Sequence, residues 1–396
     1  MSYVLALPDM MSAAATDVAS IGSEVAAATH GAAGATTGVL VAAEDEVSVA
    51  IAAVFSAHGQ AYQALISEAA AFHERFAQAL TGAAGAYAGA EAGNVSPLAA
   101  FEQAALGAER EIEQIPTALG AGFDQEANFL LADPRSPLLA LFTGDNPLLR
   151  AGISNTPPRL LTLLLGETVQ QTTYNGMNVV QITPAHPSGD YVVAIHGGAF
   201  IFPPSIFHWL DYTVTAYQTG ATFEVPIYPL LQQGGTAGTV VPQIAGLISS
   251  QIALHGAPHV SVMGDSAGGN LALAAVELMV ANGQTVPNSM VLLSPWLDLV
   301  STGGPIGPVW AGNLPLNDYR VSPLYGSLNG IPPTYVYSGS ADPLQASAIA
   351  LQHAAIADGA PISFVLPDYQ IHDWVLLTPW GTQYWGQIDQ ELGIAA

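Results

Sequence analysis

The sequence contains no cysteine and no lysine. Without cysteine there are no disulfides, no thiolate zinc sites and no sulfur nucleophile, so any chemistry must use oxygen or nitrogen. The six basic residues are all arginine and face 31 acidic ones, for a formal charge of −25. Such a chain repels phosphate backbones and anionic head groups, which excludes nucleic acid as a natural partner. No run of about 18 consecutive apolar residues appears, and Met1-Ser2-Tyr3 lacks the basic start of a secretory signal. The protein is expected to be soluble as made, and an export address would have to lie in a folded element. What remains is 396 residues, half of them apolar, enough for one large core and a smaller domain.

Texture changes along the chain. From about Pro8 to Glu91 alanine dominates. Ile51, Val54, Phe55, His58, Tyr62, Leu65, Ala69, Phe72, Phe76 and Leu80 recur at three- and four-residue steps, the period of an amphipathic helix. An Ala-rich run from Met10 to about His30 reads as a first helix, with Gly31 to Gly38 as the turn between the two. The expectation is an antiparallel hairpin whose apolar stripe needs a partner, since two helices enclose no core. Glu44-Asp45-Glu46 reads as a solvated helix start. Residues 94–166, with a short acidic helical piece around Glu109 to Glu113 and Pro-punctuated stretches such as Asn146-Pro147-Leu148-Leu149, read as a linker and candidate cap segment.

From residue 167 to 396 strands alternate with helices. Asn175-Gly176 between Gln170–Tyr174 and Met177–Ile182 predicts a hairpin. Apolar runs at Tyr191–Ile195, Thr222–Tyr228, His259–Met263, Met290–Ser294, Thr334–Ser338 and Ile362–Leu366 supply six more strands. Eight strands with helical crossovers predict a mostly parallel α/β sheet covered on both faces.

The strand at 259–263 runs into Gly264-Asp265-Ser266-Ala267-Gly268-Gly269-Asn270 and then a helical run. Strand, Gly-x-Ser-x-Gly and helix together describe a nucleophile elbow, with Ser266 lifted above the sheet. His196-Gly197-Gly198-Ala199-Phe200 follows another strand, and glycines at a strand end let amides approach an oxyanion. Gly197, Gly198 and the amide of Ala267 are the expected oxyanion donors, with His196 a structural residue of that loop. A serine nucleophile needs an orienting acid and a base, in the order Ser, acid, His. Asp342, in Gly339-Ser340-Ala341-Asp342-Pro343-Leu344 after a strand, is the favoured acid, with Asp298, Asp318 and Asp368 as rivals. His372 is the only histidine after the last strand and the favoured base, with His353 its competitor.

These elements resemble the hormone-sensitive-lipase branch of α/β-hydrolases over about residues 167 to 396. The resemblance implies a carboxylic ester hydrolase with no metal or organic cofactor. Three departures stand out. Ala199 replaces the family's third glycine, Tyr228-Pro229-Leu230 replaces its Tyr-Arg-Leu-Ala-Pro-Glu, and His372-Asp373-Trp374 replaces His-Gly-Phe.

Residues 1–93 resemble the mycobacterial PE domain, an Ala-rich helical hairpin, with Pro8-Asp9 for Pro-Glu and Tyr87-Ala88-Gly89-Ala90-Glu91 matching the Tyr-x-x-x-Asp/Glu signal of type VII secretion. The whole chain is similar to the PE-family triacylglycerol lipases of mycobacteria. That similarity implies acyl ester substrates and export by the type VII secretion machinery to the cell wall or surface. It also implies a PPE-family helical partner, and it allows peripheral lipid-surface contact and removal of the hairpin after export. A segment from Leu297 to Leu324, with Trp310, Leu314, Leu316 and Tyr319, either walls an acyl pocket or is a solvated loop. The alternatives are an esterase restricted to short esters and an envelope surface protein that acts by binding partners.

Overall fold

In strand β3 (Tyr191–Ile195), Val192 and Ala194 point to one side, Val193 and Ile195 to the other, and all four are fully buried. A strand with no solvent side has to lie within a sheet covered twice. The computed structural model describes residues 8–41, helical positions 52, 55, 56, 59, 60, 63, 78 and 81, residues 139 and 142–144, and then 152–378 and 380–395. Its two compact units divide between Asn128 and Phe129.

The second unit holds an eight-stranded sheet of order β1-β2-β4-β3-β5-β6-β7-β8. Strands β1 (Thr168–Tyr174) and β2 (Met177–Thr183) form the antiparallel edge. They are joined through Asn175 and Gly176 at φ 47° and 82°, as the Asn-Gly hairpin requires. From β4 (Thr222–Ile227) through β5 (Val260–Asp265), β6 (Met290–Leu293), β7 (Thr334–Tyr337) and β8 (Ile362–Val365) the pairing is parallel. One face buries Val193, Val262 and Leu292 against Val240, Ile244 and Ile248, and against Leu271 and Val276. The other buries Val192, Met263 and Leu293 with Trp209, Tyr212, Trp374 and Ile388. The helix Ala237–His255 is long and apolar enough to cross a membrane, but Val240, Val241, Ile244, Leu247 and Ile248 fill this core.

The chain leaves β3 for β4 on one side and then crosses back to β5 on the other. The carboxyl ends of β3 and β5 are therefore adjacent at the reversal point, where open α/β sheets place their sites.

The second unit starts earlier than residue 167. Leu139 is fully buried in its core, the Phe142 ring meets Phe202 edge-on at 5.4 Å, and the Trp209 indole donates to the Ser154 carbonyl at 2.8 Å. These described parts of the expected linker are built into the hydrolase unit.

In the first unit, helix α1 (Pro8–Thr37) runs through the glycines expected to turn the chain. An isolated glycine in a helix costs only about 1 kcal/mol relative to alanine, and the alanines around Gly31 and Gly34 carry the helix on. The Thr36 and Thr37 hydroxyls close its last turn on the Ala32 and Ala33 carbonyls. Gln63 donates to the Thr29 carbonyl at 3.3 Å, and the Val39 amide donates to Ser56 at 3.0 Å. Partner numbers rise as α1 numbers fall, so the second helix runs antiparallel. The expectations for Glu44-Asp45-Glu46, Tyr87 to Glu91, Glu109 to Glu113 and Asn146 to Leu149 lie outside the described residues.

Candidate active site

Strand β5 enters the Gly264–Gly268 turn and helix α5 (Ser266–Ala281) leaves it. Ser266 sits at φ 50°, a left-handed conformation that non-glycine residues adopt only when their surroundings hold them there. The tightness is visible at Gly268, where a β-carbon would lie 1.9 Å from the Ile195 carbonyl oxygen. Asn270 locks the turn from inside the helix, donating to the carbonyls of Trp296 at 2.8 Å and Val321 at 2.9 Å. The elbow is thereby tied to the 297–324 segment. That segment is packed, not solvated: Trp310 is fully buried and stacks on Phe200 at 3.9 Å.

Two loops bring the partners. The loop after β7 carries Asp342 and the loop after β8 carries His372. They approach so closely that a β-carbon on Gly339 would lie 2.0 Å from the Gln370 carbonyl oxygen. The Ala341 amide donates to that same carbonyl at 3.0 Å. His372 Nε2 stands 2.9 Å from Ser266 Oγ, and Nδ1 stands 3.0 Å from Asp342 Oδ1. The rivals are elsewhere. Asp298 caps a short helix through the Val300 and Ser301 amides, Asp318 is paired with Arg320 at 2.7 Å, and Asp368 and His353 are exposed.

At the end of β3 the register sets Ile195 beside Gly264, which delivers residues 197–199 to the elbow. Gly197 does not serve as expected. Its amide donates to Asp265 Oδ1 at 2.9 Å and lies 3.3 Å from His208 Nε2, because the carboxylate preceding the nucleophile reaches across to the loop. The Gly198 and Ala199 amides have no hydrogen-bond acceptor among the described residues, and Ala267, at the start of α5, has none within its helix. Ala199 and Phe200 both take left-handed φ, 53° and 61°, and the buried Phe200 ring holds them there. His196 is structural, as expected: its Nδ1–H donates to the Gly197 carbonyl at 2.8 Å and its ring stacks on Tyr228. Burial, reinforced by His208, pushes its pKa down to about 3.

With this geometry in place, relatives can be compared. The PE family pattern matches residues 4–94 and the alpha/beta hydrolase fold pattern matches residues 192–376. The chain is 60% identical over 437 aligned residues to a triacylglycerol lipase of Mycobacterium tuberculosis, spanning 100% of both. The chain belongs to the family of that lipase. Its amino-terminal quarter alone is 60% identical to a PE-PGRS family protein of the same species, covering 25% of this chain and 10% of that one. Among solved structures, a putative esterase from Staphylococcus aureus superposes with a TM-score of 0.57 at 24% identity, over 66% of this chain and 95% of that chain. An esterase from the bacterial hormone-sensitive lipase family gives 0.52 at 24% identity, over 65% and 97%. Both likenesses concern the fold.

In this PE-domain α/β-hydrolase, burial works against ionising Asp342. The His372 ring, the Leu344 amide and the Ser294 hydroxyl outweigh it and hold the carboxyl below its ordinary range. Four residues of the site escaped sequence reasoning. Asp265 and His208 form a buried pair at 2.9 Å. Ser294, at φ 43°, accepts the Asp373 amide at 2.9 Å, and Asp373 places a carboxyl beside His372. Asp265 could have been found as the fixed companion of the nucleophile, and Asp373 as a departure from glycine. His208 and Ser294 leave no such trace. Among the described residues no group of three or more His, Asp or Glu side chains is arranged to hold a metal ion.

Proposed function

We propose that this chain is a serine ester hydrolase that cleaves acyl esters through an acyl-enzyme, with long-chain triacylglycerols as its expected substrates. The observation that carries the reading is the unbroken relay from Ser266 Oγ to His372 Nε2 at 2.9 Å and from Nδ1 to Asp342 at 3.0 Å. His372 takes the Ser266 proton as the hydroxyl attacks the ester carbonyl, and Asp342 fixes the tautomer and stabilises the imidazolium. The amides of Gly198, Ala199 and Ala267 are the donors available to the oxyanion, at the start of α5 where the helix dipole favours negative charge. The imidazolium then protonates the leaving alcohol, and water attacks the acyl-enzyme by the same relay in reverse.

The substrate class is supported by the full-length relative's name and by the apolar wall that Phe200, Trp296 and Trp310 build beside the oxyanion loop. Rates on an acyl series from acetate to oleate test it. Turnover should persist to the long chains, and activity confined to the shortest esters would make this a short-chain esterase instead.

The helical hairpin is proposed to direct type VII export to the cell envelope with a PPE-family partner on its apolar stripe, supported by the PE match over residues 4–94. Deleting residues 1–93 should abolish export and leave hydrolysis intact, because the relay lies wholly in the second unit. A folded but inactive truncate, or one exported normally, would refute this division of labour.

A further inference from the structure

Asp373 stands where the hormone-sensitive-lipase pattern has glycine, and its backbone keeps a glycine-like conformation, φ 52° and ψ 30°. Its amide is anchored on Ser294 Oγ at 2.9 Å. Its carboxyl turns into the site: Oδ2 lies 3.3 Å from His372 Nε2, and Oδ1 is buried with no hydrogen-bond partner among the described residues. The atom it approaches is the same nitrogen that faces Ser266.

Counting protons shows what this second acid does. With Nδ1–H donated to Asp342, a neutral imidazole presents a lone pair at Nε2, which is what the serine hydroxyl needs. An ionised carboxylate at 3.3 Å would then set lone pair against lone pair. The contact is favourable only with one more proton, held on Nε2 or on Oδ2, and while it stays Nε2 cannot accept from Ser266.

We propose that Asp373 is a positioning residue that sets the basicity of His372, holding a proton on the Nε2 side of the ring until solvent removes it, and then flanking the imidazolium formed during catalysis with a second carboxylate. The inference rests on the Ser266–His372–Asp342 reading. The charged groups around the pair come from every neighbouring element: Asp342 from the loop after β7, Asp265 from the end of β5, and His208 and Asp211 from the helix Ile206–Thr219. Burial raises the Asp373 carboxyl, and Asp265 and Asp342 add to this, while His372 and His208 oppose it. Burial alone would lower His372, but Asp373, then Asp342 and Asp265, reverse the sign and raise it.

The sign of the test follows. A carboxylate beside an imidazolium raises the pH at which the free base appears, so its removal lowers that pH. In pH-stat assays of the full-length protein on tributyrin, the acid limb of kcat/KM for Asp373→Asn should move down by about one pH unit. Rates below the wild-type limb should rise about tenfold. On the alkaline plateau the variant should fall below wild type, having lost a carboxylate from the transition state, so the two profiles cross. Asp373→Gly, which relieves the backbone as well, should shift the limb the same way. Superimposable acid limbs, or a uniform loss at every pH without a shift, would overturn the inference. Ser266→Ala separates the two levels. If it still hydrolyses tributyrin, the relay falls and takes this role with it; if it is inactive and the limbs do not move, only the role of Asp373 falls.

Discussion

The two halves of the site are held by different physics. On the side of β3 and β5, backbone meets backbone: paired strands deliver the oxyanion loop and the elbow together, Gly268 has no room for a β-carbon, and both Asp265 oxygens are committed, to the Gly197 amide and to His208. On the side of β7 and β8, two loops are stitched by a few hydrogen bonds, among them the Tyr369 amide to Ser340 Oγ at 2.7 Å. Asp342 is enclosed there while the His372 side chain is 27% exposed, and an additional acid crowds the ring. The first half is specified by sterics and is insensitive to protons. The second is specified by charge and titrates, so substitutions should separate the halves by what they change.

Asp342→Asn breaks the second half with the largest effect. The amide keeps the volume, but its NH2 group can face Nδ1 and favour the wrong tautomer, so kcat should fall by about 10⁴. Circular dichroism and the thermal midpoint should stay near wild type, because no buried backbone contact is lost. A fall of less than tenfold would mean that Asp342 does not orient the base.

The same division explains how much could be read from the sequence. Strands were legible because apolar runs stand between turn residues, and Asn175-Gly176 fixed one hairpin outright. Ser266 was legible because the elbow is a local steric motif, and Asp342 and His372 because chain order and strand ends leave few candidates. What stayed hidden depends on which side chain reaches which atom across the sheet. The diversion of the Gly197 amide requires knowing where Asp265 points. His208 lies on an amphipathic helix like any packed histidine, and nothing local marks it as the partner of Asp265, 57 residues away. Helix α1 outran its expected end because the glycine signal was weighed without the surrounding alanines.

His208 gives the smallest and sharpest test of the first half. The Ser205 amide donates to Nδ1 at 3.0 Å, which requires a lone pair there and leaves the Nε2 hydrogen for Asp265 Oδ2 at 2.9 Å. Asp265 in turn receives the Gly197 amide. One imidazole thus fixes the carboxylate that fixes the oxyanion loop, without touching the reacting atoms. His208→Ala should strand a buried carboxylate oxygen and loosen the loop, lowering kcat about ten- to a hundredfold, the range of one hydrogen bond to a charged group. KM should change little, because the oxyanion forms only in the transition state. His208→Gln, whose amide can donate in place of Nε2, should recover part of the rate, and neither variant should move the acid limb by as much as Asp373→Asn. A His208→Ala enzyme with a wild-type kcat would show that backbone packing alone holds the loop, and a shifted acid limb would show that the two halves are electrostatically one.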